Sequence, residues 1–207
     1  ASPFAFLLTL GLNERALGQF ERLVSALASR CRPLAVDLIG GDLSAAEKFL
    51  VSITAFGRFA EGARPLLRSA AQPGQRIFVS RPIGGAAAGL GLLRNGWTID
   101  SSGNANAPPA ATVSYAQKEF ARSALLRQVD PEPEIALGVR LGSLDGVGAC
   151  IDLSDGLSSD LNRLCQASRC GAVIERERIP AFPDLAANAH SLGIRDPLAA
   201  VLHGGED

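Results

Sequence analysis

The chain alternates apolar runs of strand length with segments of helical periodicity, and this alternation restricts the folds open to it. The first apolar run, residues 3–12, is long enough for a buried strand. Asn13 and Glu14 then supply a helix cap and an acidic first turn, and apolar residues recur at helical spacing through residue 30. Because the alternation continues along the chain, we predict an α+β or α/β fold with two domains that meet at a cleft.

The other predicted elements follow from the same patterns. Further strands are predicted at residues 34–39, 49–56, 76–80, 148–153 and 171–175. Further helices are predicted at residues 84–93, 116–127, 133–144, 156–168 and 185–192. The polar stretch 95–112 is predicted to be a mobile loop. We expect the domain boundary within residues 128–145, which gives an N-terminal domain of residues 1–135 and a C-terminal domain of residues 136–207.

The composition argues against two classes of partner. The 207 residues carry a formal net charge of −1, so the chain lacks the basic surface typical of nucleic-acid binding. No run approaches the roughly 20 apolar residues that span a bilayer. The first residues also lack the basic region of a signal peptide. We therefore expect a cytoplasmic protein that binds neither nucleic acid nor membrane.

The cysteines are predicted to be reduced thiols that pack as small apolar groups. Cys165 and Cys170 are five residues apart, and no histidine lies near them, which is poor spacing for zinc. The remaining two, Cys31 and Cys150, are isolated in the sequence. The chain contains only two histidines, which argues against a histidine-based catalytic triad or metal site.

Three segments place glycine beside carboxylate. They are Gly40-Gly41-Asp42, the run from Asp152 to Gly156, and Gly204-Gly205-Glu206-Asp207. Glycine lets a backbone approach a phosphate closely, and carboxylates bind the Mg²⁺ that accompanies it. Gly40-Gly41-Asp42 alone also fits a simple turn, and Gly204-Gly205-Glu206-Asp207 alone is equally weak evidence for a site. In the middle segment, Asp155 alone fits a cap for the helix that follows, with Asp152 facing solvent. No Walker A sequence is present, so residue chemistry by itself leads only as far as a magnesium–nucleotide site.

Taken in order, these segments resemble the thiamine-monophosphate kinase family, of the aminoimidazole ribonucleotide synthetase-like superfamily. The run from Ile151 to Leu157 matches the most specific family motif without a change. The other matching stretches are residues 40–42, 54–57, 67–69, 72–74, 77–79, 84–90 and 204–207. The resemblance therefore covers nearly the whole chain in collinear order.

The resemblance implies two α+β domains, with N-terminal sheets that pair across a homodimer. It also implies direct in-line transfer of the γ-phosphoryl group of ATP to thiamine monophosphate, which gives thiamine diphosphate, with several Mg²⁺ ions. The implied site residues are Asp42 and Asp152 as catalytic metal ligands, Asp155 as a further metal ligand, Gly41, Arg68 and Ser154 for ATP, and Glu206 for thiamine monophosphate.

The chain also departs from the family pattern. Leu43-Ser44 follow Asp42 where the family usually has threonine, and Gly85-Ala86 lack the family's aspartate. The sequence contains no methionine and stops at its last acidic motif, so we expect it to be a fragment that lacks both ends. Two alternatives stay open: an ATP-using enzyme of the same fold with a different acceptor, and a non-catalytic relative that binds nucleotide or a protein partner.

Overall fold

The computed structural model describes residues 1–206 and divides the chain into two compact units. Unit 1 consists of residues 1–65 and 135–145, and unit 2 consists of residues 66–134 and 146 to the end of the described range. The two units meet at three junctions along the chain, because unit 1 is built from two separate segments. The junction at residues 134–135 lies inside the stretch predicted to hold the domain boundary, and the junction at residues 145–146 lies at its end. The third junction lies at residues 65–66.

Unit 1 contains a three-stranded sheet. Its strands are β1 (Ser2–Leu12), β2 (Asp37–Ala45) and β3 (Leu50–Arg58), in the order β2-β1-β3. Strand β1 runs parallel to β2 and antiparallel to β3. The predicted first strand is confirmed, and so is the strand predicted at residues 49–56.

One face of β1 carries the apolar core of unit 1. Phe6, Leu8, Leu10 and Leu12 are buried. They pack against α2 (Phe20–Cys31), whose apolar side chains recur at the spacing read from the sequence. A short helix, α1 (Glu14–Leu17), precedes α2, and the Asn13 side chain caps it by accepting the Ala16 N–H at 2.8 Å. The predicted single helix is therefore interrupted near Gly18, whereas its predicted start is confirmed.

The second strand differs from its prediction. It was predicted at residues 34–39, with its end at Gly40-Gly41, but β2 begins at Asp37 and continues to Ala45. Parallel pairing with β1 carries through the glycines, with Leu7 opposite Gly40 and Leu8 opposite Gly41. A Cβ at position 41 would lie 1.8 Å from the Leu8 carbonyl oxygen. The glycines therefore allow the strand to pass close to its neighbour instead of ending it.

Unit 2 is built mainly from helices. Its helices are α3 (Gly85–Arg94), α4 (Tyr115–Val129), α6 (Leu157–Ser168), α7 (Leu185–Ala189) and α8 (Pro197–His203), while α5 (Ile135–Gly142) belongs to unit 1. Helices α3 and α4 pack closely because residue 89 is glycine: a Cβ there would lie 2.2 Å from the Ala124 carbonyl oxygen. The core of unit 2 includes Leu92, Trp97, Phe120, Leu125, Leu157, Phe182 and Leu185.

Three predicted strands of unit 2 do not form. Residues 76–80, 148–153 and 171–175 have no partner strand among the described residues, although their apolar residues follow a strand-like pattern. A strand is defined by pairing, and without a partner these stretches leave side chains such as Val173 91% exposed. The predicted loop at residues 95–112 contains a short antiparallel pair, β4 (Thr98–Ile99) and β5 (Ala105–Asn106).

The helices of unit 2 follow the sequence more closely. Four predicted helices correspond to α3, α4, α6 and α7 within a few residues. Helix α8 was missed, although Asp196 caps it through the amides of Leu198 and Ala199 and Pro197 stands at its first position. No helix in the described part of the chain is long and apolar enough to cross a membrane.

Candidate functional site

The loop from Asp152 to Gly156 leads directly into helix α6. Gly156 stands at the helix N-cap with a φ of +95°, and no side chain caps that end of the helix. A Cβ at position 156 would also lie 2.8 Å from the Cα of His203. The reading of Asp155 as a simple helix cap is therefore wrong, because Gly156 holds the cap position and the Asp155 side chain pairs elsewhere.

The C-terminal glycine–carboxylate segment runs against this loop. The backbone N–H of Glu206 donates to the carbonyl oxygen of Leu153 at 3.1 Å. A Cβ at position 205 would lie 1.8 Å from the Ser154 carbonyl oxygen. Two of the three glycine–carboxylate segments are therefore adjacent within unit 2. Asp207, the last residue of this motif, lies outside the described residues.

Asp152 lies near a cation that the sequence analysis had singled out. An oxygen of its carboxylate is 3.8 Å from Nη2 of Arg68, and the two side chains are 75% and 57% exposed. An exposed ion pair at this distance adds little to stability. Because both side chains are more than half exposed, a charged ligand can reach them.

The backbone near Arg68 is fixed by α6. The Ser168 hydroxyl, at the end of that helix, donates to the Arg68 carbonyl oxygen at 2.7 Å and accepts the Ala71 N–H at 3.0 Å. Ser168 was not among the residues singled out from the sequence. Ser168 contacts the backbone of Arg68, which lies 100 residues earlier in the chain. The residues around Ser168 in the sequence give no indication of this contact.

Asp155 is held by a second carboxylate, Asp160, which the sequence analysis also missed. Asp160 is 1% exposed, and its Oδ2 accepts the Asp155 backbone N–H at 2.9 Å. Its Oδ1 accepts a hydrogen bond from Arg163 at 2.6 Å, and Arg163 forms an ion pair with the Asp155 side chain as well. These hydrogen bonds, first to Asp155 and then to Asp160, raise the pKa of Arg163.

Asp42 and Gly41 lie in unit 1, on strand β2. Every residue of that strand is exposed, and the Ser44 hydroxyl donates to Oδ2 of Asp42 at 2.7 Å. Of the seven residues named from the sequence, these two belong to unit 1. The other five, Arg68, Asp152, Ser154, Asp155 and Glu206, belong to unit 2.

The carboxylates fit a nucleotide-associated magnesium site better than an all-protein one. Within residues 1–206, no group of three or more histidine, cysteine, aspartate or glutamate side chains is arranged to hold a metal ion. Mg²⁺ in nucleotide sites usually takes one or two carboxylates, with phosphate oxygens and water as its other ligands. Asp152 and Asp155 offer hard oxygen ligands on an exposed loop, which suits this mode of binding.

The family models match most of the chain. Residues 1–59 match the N-terminal domain of AIR synthase related protein, and residues 72–198 match the C-terminal domain of AIR synthase related protein. The chain therefore belongs to the AIR synthase related protein family, and the predicted superfamily and α+β fold are confirmed.

Within this family the chain is similar to thiamine-monophosphate kinases. It is 35% identical to the enzyme of Bacillus subtilis over 151 residues, which is 72% of this chain and 41% of that protein. It is 31% identical to the enzyme of Mycobacterium tuberculosis over 209 residues, which is 100% of this chain and 56% of that protein. The chain thus spans about half the length of these relatives.

The chain is also similar in structure to a solved ThiL protein. A ThiL structure complexed with AMPPCP and TMP matches 99% of this chain and 59% of its own length. Its TM-score is 0.81 at 27% sequence identity. The similarity to thiamine-monophosphate kinases therefore extends from sequence to structure.

Proposed function

We propose that the protein is a thiamine-monophosphate kinase, which transfers the γ-phosphoryl group of ATP to thiamine monophosphate. The observation that carries this proposal is the match of nearly the whole chain to a ThiL structure complexed with AMPPCP and TMP. Sequence similarity to thiamine-monophosphate kinases over the same length supports it. The adjacent acidic segments of unit 2 supply chemistry suited to phosphoryl transfer.

In unit 2, we assign the phosphate end of ATP to the loop that begins at Asp152. Asp152 and Asp155 would bind Mg²⁺, and Ser154 would hydrogen-bond the nucleotide. Arg68, which is 57% exposed beside Asp152, would bind phosphate oxygens through its planar set of donors. Glu206 would contact thiamine monophosphate, and its backbone tie to Leu153 supports a place near the same loop.

In unit 1, we assign a further magnesium ligand and a nucleotide contact. Asp42 would bind Mg²⁺ and, with Asp152, serve as a catalytic residue. Its exposed carboxylate on β2, with one oxygen hydrogen-bonded to Ser44, is free to offer the other oxygen to a cation. Gly41 would approach the nucleotide through its backbone.

The chemistry proposed for these residues is positional and electrostatic. The carboxylates of Asp42, Asp152 and Asp155 would hold Mg²⁺, which would supply positive charge against the negative charge of the phosphate oxygens. Arg68 would add positive charge at the same phosphates, and Ser154 would fix their orientation. With donor and acceptor held in line, the γ-phosphoryl group passes directly to thiamine monophosphate, without a phosphoenzyme.

We also propose a homodimer formed through the sheet of unit 1. Every residue of β2 and β3 is exposed, and many of them are large and apolar: Leu38, Ile39, Leu43, Leu50, Val51 and Ile53. Exposed apolar surface of this extent marks an interface in many proteins. Sedimentation equilibrium should give twice the chain mass, and Ile53→Lys should shift it toward one chain mass.

A cytoplasmic location completes the proposal. All four cysteines are free thiols, which suits a reducing compartment that also supplies ATP. The composition supports small-molecule substrates over nucleic acid or membrane, because the net charge is only −1. Fractionation of cells that express the tagged protein would test the location.

The function is tested by ADP formation from Mg·ATP, with and without thiamine monophosphate, on protein of verified intact mass. Turnover that requires thiamine monophosphate is the expected result. ADP formation stimulated by another acceptor alone would favour a different enzyme of this fold. Binding of Mg·ATP without any turnover would favour the non-catalytic alternative.

A further inference from the structure

One buried charge has no role in the proposed reaction. The side chain of Asp160 is 1% exposed. Among the residues that the structure describes, Asp160 is the one polar or charged residue that is buried. Burial of a carboxylate is costly unless the group is paired and hydrogen-bonded. A hydrophobic residue of similar size would fill the same space without that cost, so the contacts of Asp160 call for an explanation.

Both carboxylate oxygens of Asp160 take part in holding Asp155 in place. One accepts the Asp155 backbone N–H at 2.9 Å, and the other accepts a hydrogen bond from Arg163 at 2.6 Å. Arg163 also pairs with the Asp155 carboxylate. Asp160 therefore restrains the backbone of Asp155 directly, and it restrains the Asp155 side chain indirectly through Arg163.

The loop needs such a restraint because it belongs to no strand or helix. Residues 152–156 have no regular hydrogen-bonding pattern, and the chain turns at Gly156 with a φ of +95°. Helix α6, in contrast, is a regular element of 12 residues. Asp160 lies in the first turn of α6, where a negative charge is favourable near the helix N-terminus.

We propose that Asp160 is a positioning residue that fixes the Asp152–Gly156 loop on helix α6 and so determines where the Asp155 carboxylate is presented. Its consequence for nucleotide binding rests on the proposed function, in which Asp155 binds Mg²⁺. Residues that hold a metal ligand from behind commonly tune metal affinity without touching the metal. The hold of Asp160 on the loop can be measured with no ligand present.

The first test is hydrogen exchange at the Asp155 amide, followed by NMR in the ligand-free protein. We expect a protected amide in the wild type and exchange about 10-fold faster or more in Asp160→Ala, which removes the acceptor. Asp160→Asn keeps an acceptor oxygen and should retain most of the protection. The control is Glu175→Gln, which breaks an exposed carboxylate–arginine pair of the same spacing (with Arg178) and should change nothing at Asp155.

The second test is calorimetric binding of Mg·AMPPCP to the same variants. Asp160→Ala should bind about 10-fold more weakly, the size expected when the support of a metal ligand is removed. Asp160→Asn should lose only the anchor of Arg163, and affinity should fall about 3-fold. Glu175→Gln should bind like the wild type.

The outcomes separate this inference from the proposed function. An unprotected Asp155 amide in the wild type would overturn the inference, whether or not Asp160→Ala folds. A folded Asp160→Ala variant with wild-type exchange and wild-type Mg·AMPPCP affinity would also overturn it. If the wild type does not bind Mg·AMPPCP, the proposed function fails, and the exchange result alone decides whether Asp160 fixes the loop.

Discussion

The two units present the same glycine–carboxylate pattern by different means. In unit 1, Gly41 and Asp42 lie within β2, and pairing with β1 fixes their position. In unit 2, the loop from Asp152 to Gly156 lies outside any strand or helix, and its contacts include the buried Asp160 side chain and the backbone of Glu206.

This difference determines which substitutions each motif tolerates. A carboxylate on a paired strand depends on backbone hydrogen bonds, which most side-chain changes leave intact. A carboxylate on a loop depends on a few individual contacts, and each of them can be removed by one substitution. We therefore expect the unit 1 motif to be sensitive chiefly to backbone clashes, and the unit 2 motif to be sensitive to the loss of single side chains.

The largest predicted effect tests whether both motifs serve one reaction. Asp42→Asn and Asp152→Asn should each reduce kcat about 100- to 1000-fold, the size seen when one electrostatic stabiliser of a transition state is lost. Asp37→Asn, which changes another exposed carboxylate of β2, should leave kcat unchanged. Circular dichroism should show all three variants folded. A near-normal rate in Asp42→Asn would contradict the proposed catalytic role of Asp42.

The next prediction compares backbone clashes in the two units. Gly41→Ala places a Cβ 1.8 Å from the Leu8 carbonyl oxygen inside the sheet, and we expect a loss of roughly 2–3 kcal/mol in unfolding free energy. Gly205→Ala meets the Ser154 carbonyl oxygen at 1.8 Å, but the segment can move away by giving up its hydrogen bond to Leu153. That loss should cost about 1 kcal/mol.

Urea unfolding measures the unfolding free energy of Gly41→Ala and Gly205→Ala. Gly138→Ala in unit 1 and Gly171→Ala in unit 2 are the controls. A Cβ at Gly138 or at Gly171 would meet nothing within 4 Å, so alanine there should not destabilise the protein. Equal losses for Gly41→Ala and Gly205→Ala would contradict the contrast between a sheet-fixed motif and a loop-fixed one.

A smaller effect is expected from the other end of α6. Ser168→Ala removes the hydroxyl that holds the backbone around Arg68, and Mg·AMPPCP affinity should fall about 5-fold, the equivalent of one hydrogen bond. The exposed Ser158 of the same helix supplies the control, since Ser158→Ala should bind normally. Unchanged affinity in Ser168→Ala would mean that Arg68 needs no support from α6.

The smallest effect concerns the thiols of unit 2. Burial, with a contribution from the neighbouring Cys170, raises the pKa of the Cys165 thiol. Less thiolate is then present at any pH below that pKa, so iodoacetamide should label Cys165 more slowly than the exposed Cys150 at pH 8. Peptide mass spectrometry measures both rates in one sample. Faster labelling of Cys165 would contradict its partial burial.

The sequence predicted local features of the fold well. Asn13 predicted the start of the first helix, and the length of the apolar run at residues 3–12 predicted β1. Helix α6 of unit 2 was found because its apolar residues recur at helical spacing, which is a property of neighbouring residues. The seven proposed site residues came from a collinear resemblance, which identifies positions in the chain without giving their contacts.

Features that depend on distant partners were not predictable in the same way. Residues 171–175 have the apolar, β-branched pattern of a strand, but no partner strand pairs with them among the described residues. Gly40 and Gly41 suggested a turn because the close approach of β1 is invisible in the local sequence. Asp160 was not singled out from the sequence, since nothing nearby in sequence shows that the loop before it folds back onto its side chain.

The proposed phosphoryl transfer is tested most directly by following the label from [γ-³²P]ATP in the presence of thiamine monophosphate and Mg²⁺. We predict that the label appears in thiamine diphosphate in a 1:1 ratio with the ADP formed, as expected for direct transfer. Label that appears only in inorganic phosphate, or ADP formation that ignores thiamine monophosphate, would contradict the proposed function.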